Sequence, residues 1–285
     1  MRNIYEKKQV AENVYMITEC TEAGGPGVNM FLVVGKNRAL LFDSGFGVVD
    51  TLKKEIETIT DMPITCVVGH GHPDHVGGAP LFDDVYMNRK DEMLLPVSLS
   101  YERRMEDVFG RGEVDSELFE YAKEHIVDPG GKTFKWKHIG MGEIIELDDD
   151  IFEVFEIPGH TQGSIALLNR KKDYALISDA VGVRTALVNL PQEKRVGMEL
   201  YRDGLENFLR NTTEKTVFWY GHSREPLPYS VATDMLKALN EVLEGQLEND
   251  KESNSPFAKR KAAQGKKMME HKSGQVTLVY DANLL

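Results

Sequence analysis

Val68-Gly-His-Gly-His-Pro-Asp-His75 places three histidines and an aspartate within six residues. The apolar run Ile64-Thr-Cys-Val-Val-Gly69 comes just before, so a buried strand ends here and spills into a loop. On extended backbone, residues two apart point the same way, and His70 and His72 can reach one common point. Asp74 and His75 follow as the chain turns and aim at a neighbouring point. Gly71 lets the loop turn tightly, and Pro73 fixes one φ angle. Imidazole and carboxylate are ligands for zinc or iron. Their density favours a metal site over a chance cluster of surface histidines.

The H-x-H-x-D-H spacing of His70, His72, Asp74 and His75 resembles the signature of the metallo-β-lactamase superfamily. The resemblance demands four further segments in a fixed order, and each has a counterpart at a strand end. Asp43-Ser-Gly-Phe-Gly47 follows the strand-like Ala39–Phe42, and Pro158-Gly-His-Thr-Gln-Gly-Ser164 follows the alternating Ile151–Ile157. Asp179 closes Tyr174–Ser178, and Gly221-His222-Ser223 closes Thr216–Tyr220.

The resemblance implies an α/β (α+β) fold, the four-layer αββα sandwich, in a single domain over residues 1–285. It implies a first metal held by His70, His72 and His160, and a second held by Asp74, His75 and His222. Asp179 would bridge the two, and Asp43 would orient the histidine loop from behind. The implied cofactors are two divalent transition-metal ions, zinc by default, with iron or manganese as alternatives. Such a pair shares a hydroxide that attacks an ester, thioester, lactone or phosphoester bond, with Asp74 as the catalytic residue that holds or moves its proton.

An Asp at 179 argues against the antibiotic-hydrolysing branch with a Cys ligand. His72 stands where diiron reductases of this fold carry an acid, which leaves mononuclear iron sulfur-dioxygenases as the nearer redox alternative. Ala180-Val-Gly-Val183 lacks the Tyr that lactonases of the fold often place there.

Between the second and third segments, about 91–133 reads as a helical insertion. Tyr101–Phe109 and Ser116–His125 have charged amphipathic patterns, joined through Gly110-Arg-Gly112. Relatives use such insertions to cover the metals and select substrate, so Tyr101, Arg103, Arg104, Phe109 and Tyr121 are candidate lining residues. A C-terminal segment at about 230–285 adds a long amphipathic helix, a breaker at Asp250–Pro256 read as a mobile loop, and a strand at Gly274–Tyr280. Gly24-Gly-Pro-Gly27 reads as a turn.

A net charge of −12 disfavours nucleic acid, and no apolar run approaches the ~20 residues of a membrane helix. The partner expected is therefore a small-molecule substrate, with a homo-oligomer possible. Lys259, Arg260, Lys261, Lys266 and Lys267 form one basic stretch, read as a solvated helix face, with an anion-binding role as the alternative. Glyoxalase II-type thioester hydrolases also carry basic residues in a C-terminal helical region. Met1–Lys8 has no signal-peptide core, and the two cysteines, Cys20 and Cys66, lie outside every ligand segment. Both features suggest a cytoplasmic protein. His125, His138 and His271 match no segment.

Overall fold

Runs of Val, Leu, Ile and Phe set the strands, and the alternation within them sets the layers. The computed structural model describes residues 3–21, 27–110, 115–132, 134–188 and 190–285. The Gly24–Gly27 turn and the Gly110–Gly112 link fall largely outside the described residues.

The first sheet has seven strands in sequence order. β1 (Tyr5–Ala11), β2 (Val14–Glu19), β3 (Val28–Val34) and β4 (Ala39–Phe42) pair antiparallel. β5 (Ile64–Val68), β6 (Asp84–Met87) and β7 (Lys137–His138) continue it in parallel. Parallel neighbours need crossovers, and helices supply them. α1 (Leu52–Glu57) links β4 to β5, and α2 (Pro73–Val76) follows β5. α3 (Leu95–Ser98), α4 (Tyr101–Phe109) and α5 (Ser116–His125) lie between β6 and β7.

β8 (Ile144–Leu147), β9 (Asp150–Glu156), β10 (Ile165–Asn169) and β11 (Tyr174–Ser178) make the antiparallel part of the second sheet. The chain leaves through β12 (Arg184–Ala186) and α6 (Val196–Arg210), then returns as β13 (Val217–Tyr220), parallel to β11.

Alternate residues bury opposite faces. Phe31 and Val33 of β3 meet Val154 and Leu167 of the second sheet in the core between the sheets. Met30 and Leu32 face the other way, towards Leu52, Val108 and Leu118 of the first helical layer. Phe155 and Leu168 of the second sheet pack on Tyr201 and Phe208 of α6. Helices, sheet, sheet and helices therefore stack in four layers, as expected of the αββα sandwich.

The C-terminal segment is more ordered than its sequence suggests. α7 (Tyr229–Leu243) leads to β14 (Lys251–Glu252), α8 (Pro256–Ala262), β15 (Met268–Ser273) and β16 (Val276–Asp281). The breaker at 250–256 is thus not a loose loop. It contributes β14, and the Ser255 hydroxyl caps α8 by accepting from Ala258 N–H. β16 also takes in β12 as a parallel neighbour, so the third sheet runs β12-β16-β15-β14. Buried His271 of β15 ties this unit together, contacting Asp250 at 2.6 Å and Glu241 of α7 at 3.0 Å. Among the described residues, no helix is long and apolar enough to cross a membrane.

Candidate metal centre

Every residue of the implied ligand set stands at the end of a strand or on the short helix that follows one, along one edge of the sandwich. His70 and His72 leave β5, Asp74 and His75 ride on α2, His160 follows β9, Asp179 follows β11, and His222 follows β13. The structure brings all seven together. His70, His72 and His160 form one group, and Asp74, His75 and His222 form another. Asp179 joins a third grouping with His70 and His75.

In the first group His72 Nδ1 lies 3.1 Å from His70 Nε2 and 2.9 Å from His160 Nε2. Nitrogens bound tetrahedrally to one zinc ion are about 3.3 Å apart, given bonds of ~2.0–2.1 Å. In the second group His75 Nε2 is 3.5 Å from Asp74 Oδ2, and His222 Nε2 is 3.4 Å from the same oxygen. Asp179 Oδ2 lies between the groups, at 3.1 Å from His222 Nε2, 3.6 Å from His75 Nε2 and 3.9 Å from His160 Nε2.

The outer nitrogens fix which lone pairs face inward. His160 Nδ1 donates to the Ala186 carbonyl at 2.9 Å, and His222 Nδ1 donates to the Gly27 carbonyl at 3.2 Å. A carbonyl can only accept, so Nδ1 of each ring carries a proton, and in the neutral ring Nε2 is the nitrogen left to offer a lone pair to the centre. Asp43 plays the same part for His75, accepting from its Nδ1 at 2.9 Å while its other oxygen accepts Gly69 N–H at 2.7 Å. Ser178 Oγ stands 3.1 Å from His70 Nδ1 and 3.2 Å from His75 Nδ1.

These donors fit divalent cations. His75 Nε2 and Asp179 Oδ1 are buried with no hydrogen-bond partner. Each such orphan costs about 1–3 kcal/mol unless something binds it. Burial, reinforced by the neighbouring imidazoles, holds His70 well below its usual value and takes His72 down to about 3. Burial opposes charge on His75 too, but Asp74, Asp43 and Asp179 prevail and hold it well above the usual value. Against the same burial, Asp179 and Asp74 raise His222 to about 10. In the first group His70 and His72 thus offer neutral nitrogens, and the second group pairs imidazoles with carboxylates. Both attract a metal. A side chain at Gly221 would stand 2.6 Å from Asp179 Oδ1, so this glycine lets the two ligand-bearing strand ends approach.

Sequence reading gives no role to one contributor and reads a second chiefly as surface. Asp91, buried just before α3, accepts Gly71 N–H at 2.8 Å, Gly163 N–H at 2.8 Å and the Thr161 hydroxyl at 2.6 Å. It locks the histidine loop to the His160 loop. The second is α8. A cleft of about 590 Å3 opens over the centre, and its lining includes His72, Asp74, His160 and Asp179 together with Phe257, Arg260, Lys261 and Gln264. The basic stretch is therefore not simply a solvated face, because two of its residues wall the cleft.

The insertion lines the cleft with its first half, through Met93, Leu94, Val97, Ser98, Arg103 and Asp107. Among the five lining candidates only Arg103 does so. Tyr101 packs against the helical-layer core. Phe109 is buried edge-on to Phe119, with ring centres 5.2 Å apart. Tyr121 stacks on His125 at 3.8 Å and donates to Asp50. Arg104 turns fully inside, donating to the carbonyls of Phe46, Gly47, Gly77, Leu99 and Val127.

Comparison with known proteins agrees with this geometry. The acyl-coenzyme A thioesterase MBLAC2 of Gallus gallus is 24% identical over 185 residues, covering 62% of this chain and 66% of that protein. The hydroxyacylglutathione hydrolase GloC of Haemophilus influenzae is 30% identical over 152 residues, covering 51% of this chain and 62% of that protein. The chain thus spans under two thirds of the length of these relatives. A β-lactamase domain protein from Burkholderia ambifaria shares the fold, with a TM-score of 0.59 at 17% identity over 85% of this chain and 75% of that one. The sequence pattern of the metallo-β-lactamase superfamily matches residues 23–222, which take in every ligand position, and the chain belongs to that superfamily.

Proposed function

We propose that the protein is a metal-dependent hydrolase that uses two divalent transition-metal ions, zinc first among them, to cleave an acyl bond in a small molecule. The observation that supports this best is Asp179, set between two complete ligand groups on the floor of a cleft. Bound there, the ions would supply Lewis acidity and a water acidified to a pKa of about 7. His70, His72 and His160 would hold one ion, and Asp74, His75 and His222 the other. Asp179 would serve both and offset their mutual repulsion. Asp74 lines the cleft and would take up the proton of this water. Asp43, through His75, keeps the second group oriented. One relative is named a thioesterase, and we place thioesters first among the bonds to test. With only two cysteines in 285 residues, we read the protein as one of a reducing compartment such as the cytoplasm.

The test measures metal content, turnover on ester, thioester, lactone and phosphodiester substrates, and thermal unfolding, for the parent and Asp179→Asn. Two ions per parent chain are expected. The variant should remain folded but bind the second ion at least about tenfold more weakly and lose most turnover. A fully active variant carrying two ions would overturn the shared-carboxylate reading. Activity restored by iron alone, with oxygen consumed, would replace hydrolysis by dioxygenation.

A further inference from the structure

The family match ends at residue 222, yet the cleft is walled on one side by residues 257–264. This wall belongs to α8, outside the segment common to the family. Ala258 of α8 packs into a small cluster with Met268 and Val279, joined by Phe257. That anchorage leaves Arg260, Lys261 and Gln264 on the cleft.

Arg260 and Lys261 are notable for what they lack. In a chain with 46 acidic and 34 basic residues, neither forms an ion pair or a side-chain hydrogen bond among the described residues. Lys261 Nζ sits over the Phe257 ring at 5.7 Å. Burial, then the charges of Lys266, Arg103 and Arg260, push the Lys261 ammonium below its usual value. The acids lining the cleft are engaged elsewhere. Asp74 and Asp179 contact the histidines, and Asp107 accepts from Arg103 at 2.7 Å. The insertion adds apolar side chains to the same lining. Met93 is 76% exposed and Val97 60% exposed, and both border the same cleft with Leu94. Cavities of roughly 300–1,000 Å3 take drug-sized ligands, and this one falls in that range.

We propose that the substrate carries an anionic group, seated by Arg260 and Lys261, and an apolar group, seated by Met93, Leu94 and Val97, with the scissile bond between them over the metal centre. The position of the bond rests on the hydrolase reading; the two seats do not. A carboxylate and a phosphate share the chemistry that two unpartnered cations select.

The test uses three thioesters with one acyl chain. They are built on a neutral thiol, on a thiol bearing a carboxylate, and on coenzyme A. Arg260→Ala/Lys261→Ala changes one exposed and one half-buried cleft side chain, neither of them a candidate metal ligand, and should leave fold and metal content intact, as thermal unfolding and metal analysis would check. KM for an anionic thioester should rise about tenfold more than for the neutral one, with kcat changed much less. The larger rise, on the carboxylate or the coenzyme A compound, names the anion. A second arm measures binding of the corresponding uncleavable thioethers by calorimetry. There the parent should prefer the anionic ligands and the double variant should lose the preference. Met93→Asp/Val97→Asp should abolish the affinity gained on lengthening the chain from acetyl to octanoyl. If the parent binds the anionic thioethers preferentially but cleaves neither the thioesters nor the matching oxygen esters, the hydrolase reading fails and the seats stand. An equal loss on neutral and anionic ligands, or no preference in the parent, overturns the anion seat. Chain-length gain unchanged in the aspartate variant overturns the apolar one.

Discussion

The Thr161 hydroxyl donates to Asp91 Oδ2 at 2.6 Å and Gly71 N–H donates to the same oxygen at 2.8 Å, so one carboxylate joins the two loops that carry His160 and the His70–His75 cluster. The same carboxylate accepts from Gly71 and Gly163, so three donors converge on one side chain. Burial raises its carboxyl above the usual range, while those donors favour the charged form. A side chain at Gly163 would stand 2.6 Å from Asp91 Cγ, which is why the loop needs glycine there.

Asp91→Ala removes the joint without touching a ligand. We expect metal affinity to fall about 10–100-fold, the usual cost of losing support behind the ligands. The orphaned N–H groups should also cost about 1–3 kcal/mol of stability. Competition with a chromophoric chelator reads the first and denaturant unfolding the second. Parent-like affinity in the variant would show that the loops hold their places without Asp91.

Glu19 gives a pH signature in the metal-free protein. It is fully buried, accepts Phe46 N–H at 2.6 Å through Oε2, and leaves Oε1 without a partner. Burial, with Asp74 adding to it, raises its carboxyl from 4.5 to about 7, against the opposing pull of Phe46 N–H and Arg104. The folded state therefore holds this proton more tightly than the unfolded chain. Its stabilising contribution is complete below about pH 4.5 and is lost as pH rises to about 7, a change on the order of 3 kcal/mol. Glu19→Gln should flatten that slope in denaturant midpoints taken across the window. Metal loading should shrink the slope in the parent, since nearby cations favour the carboxylate. Identical slopes for parent and variant would refute the assignment.

Arg104→Ala should destabilise the fold by about 3 kcal/mol or more, because it strips donors from several buried carbonyls at once. One of these, Gly77 O, lies just past the helix that carries Asp74 and His75. Arg104→Lys offers a single point of charge in place of a planar fork and should recover only a minor part. Arg103→Ala, one residue away, should cost less than about 1 kcal/mol, since its salt bridge to Asp107 is partly exposed. Chemical unfolding of the three variants checks the order.

That adjacent pair also shows where sequence reading stops. Arg103 and Arg104 look alike in an amphipathic pattern, but successive helical residues differ by about 100° in direction, and only packing decides which one turns inward. The ligand set was legible because all of it sits in short segments at strand ends, where local spacing carries the information. β4 and β11 matched their apolar runs residue for residue. β1 was hidden because it is an edge strand with most of its side chains in solvent. β15 was hidden by Glu270, His271 and Lys272. Asp91 could not be seen at all. Its partners are mostly backbone N–H groups at distant positions, and a backbone group has no sequence signature.

The parallel pairing of β12 with β16 carries an evolutionary consequence. Ala186, whose carbonyl fixes the tautomer of His160, belongs to a strand held in place by residues 276–281, and Leu187 N–H donates to Val279 O at 2.8 Å. The same tail supplies the cationic wall of the cleft. Selectivity and ligand geometry are thus inherited together. Recombination that exchanges the tail for another specificity must also bring a strand able to seat β12, or it delivers a new wall around a disordered histidine. The tail does not behave as a free module, and point changes on α8 are the easier route by which this chain can acquire new substrates.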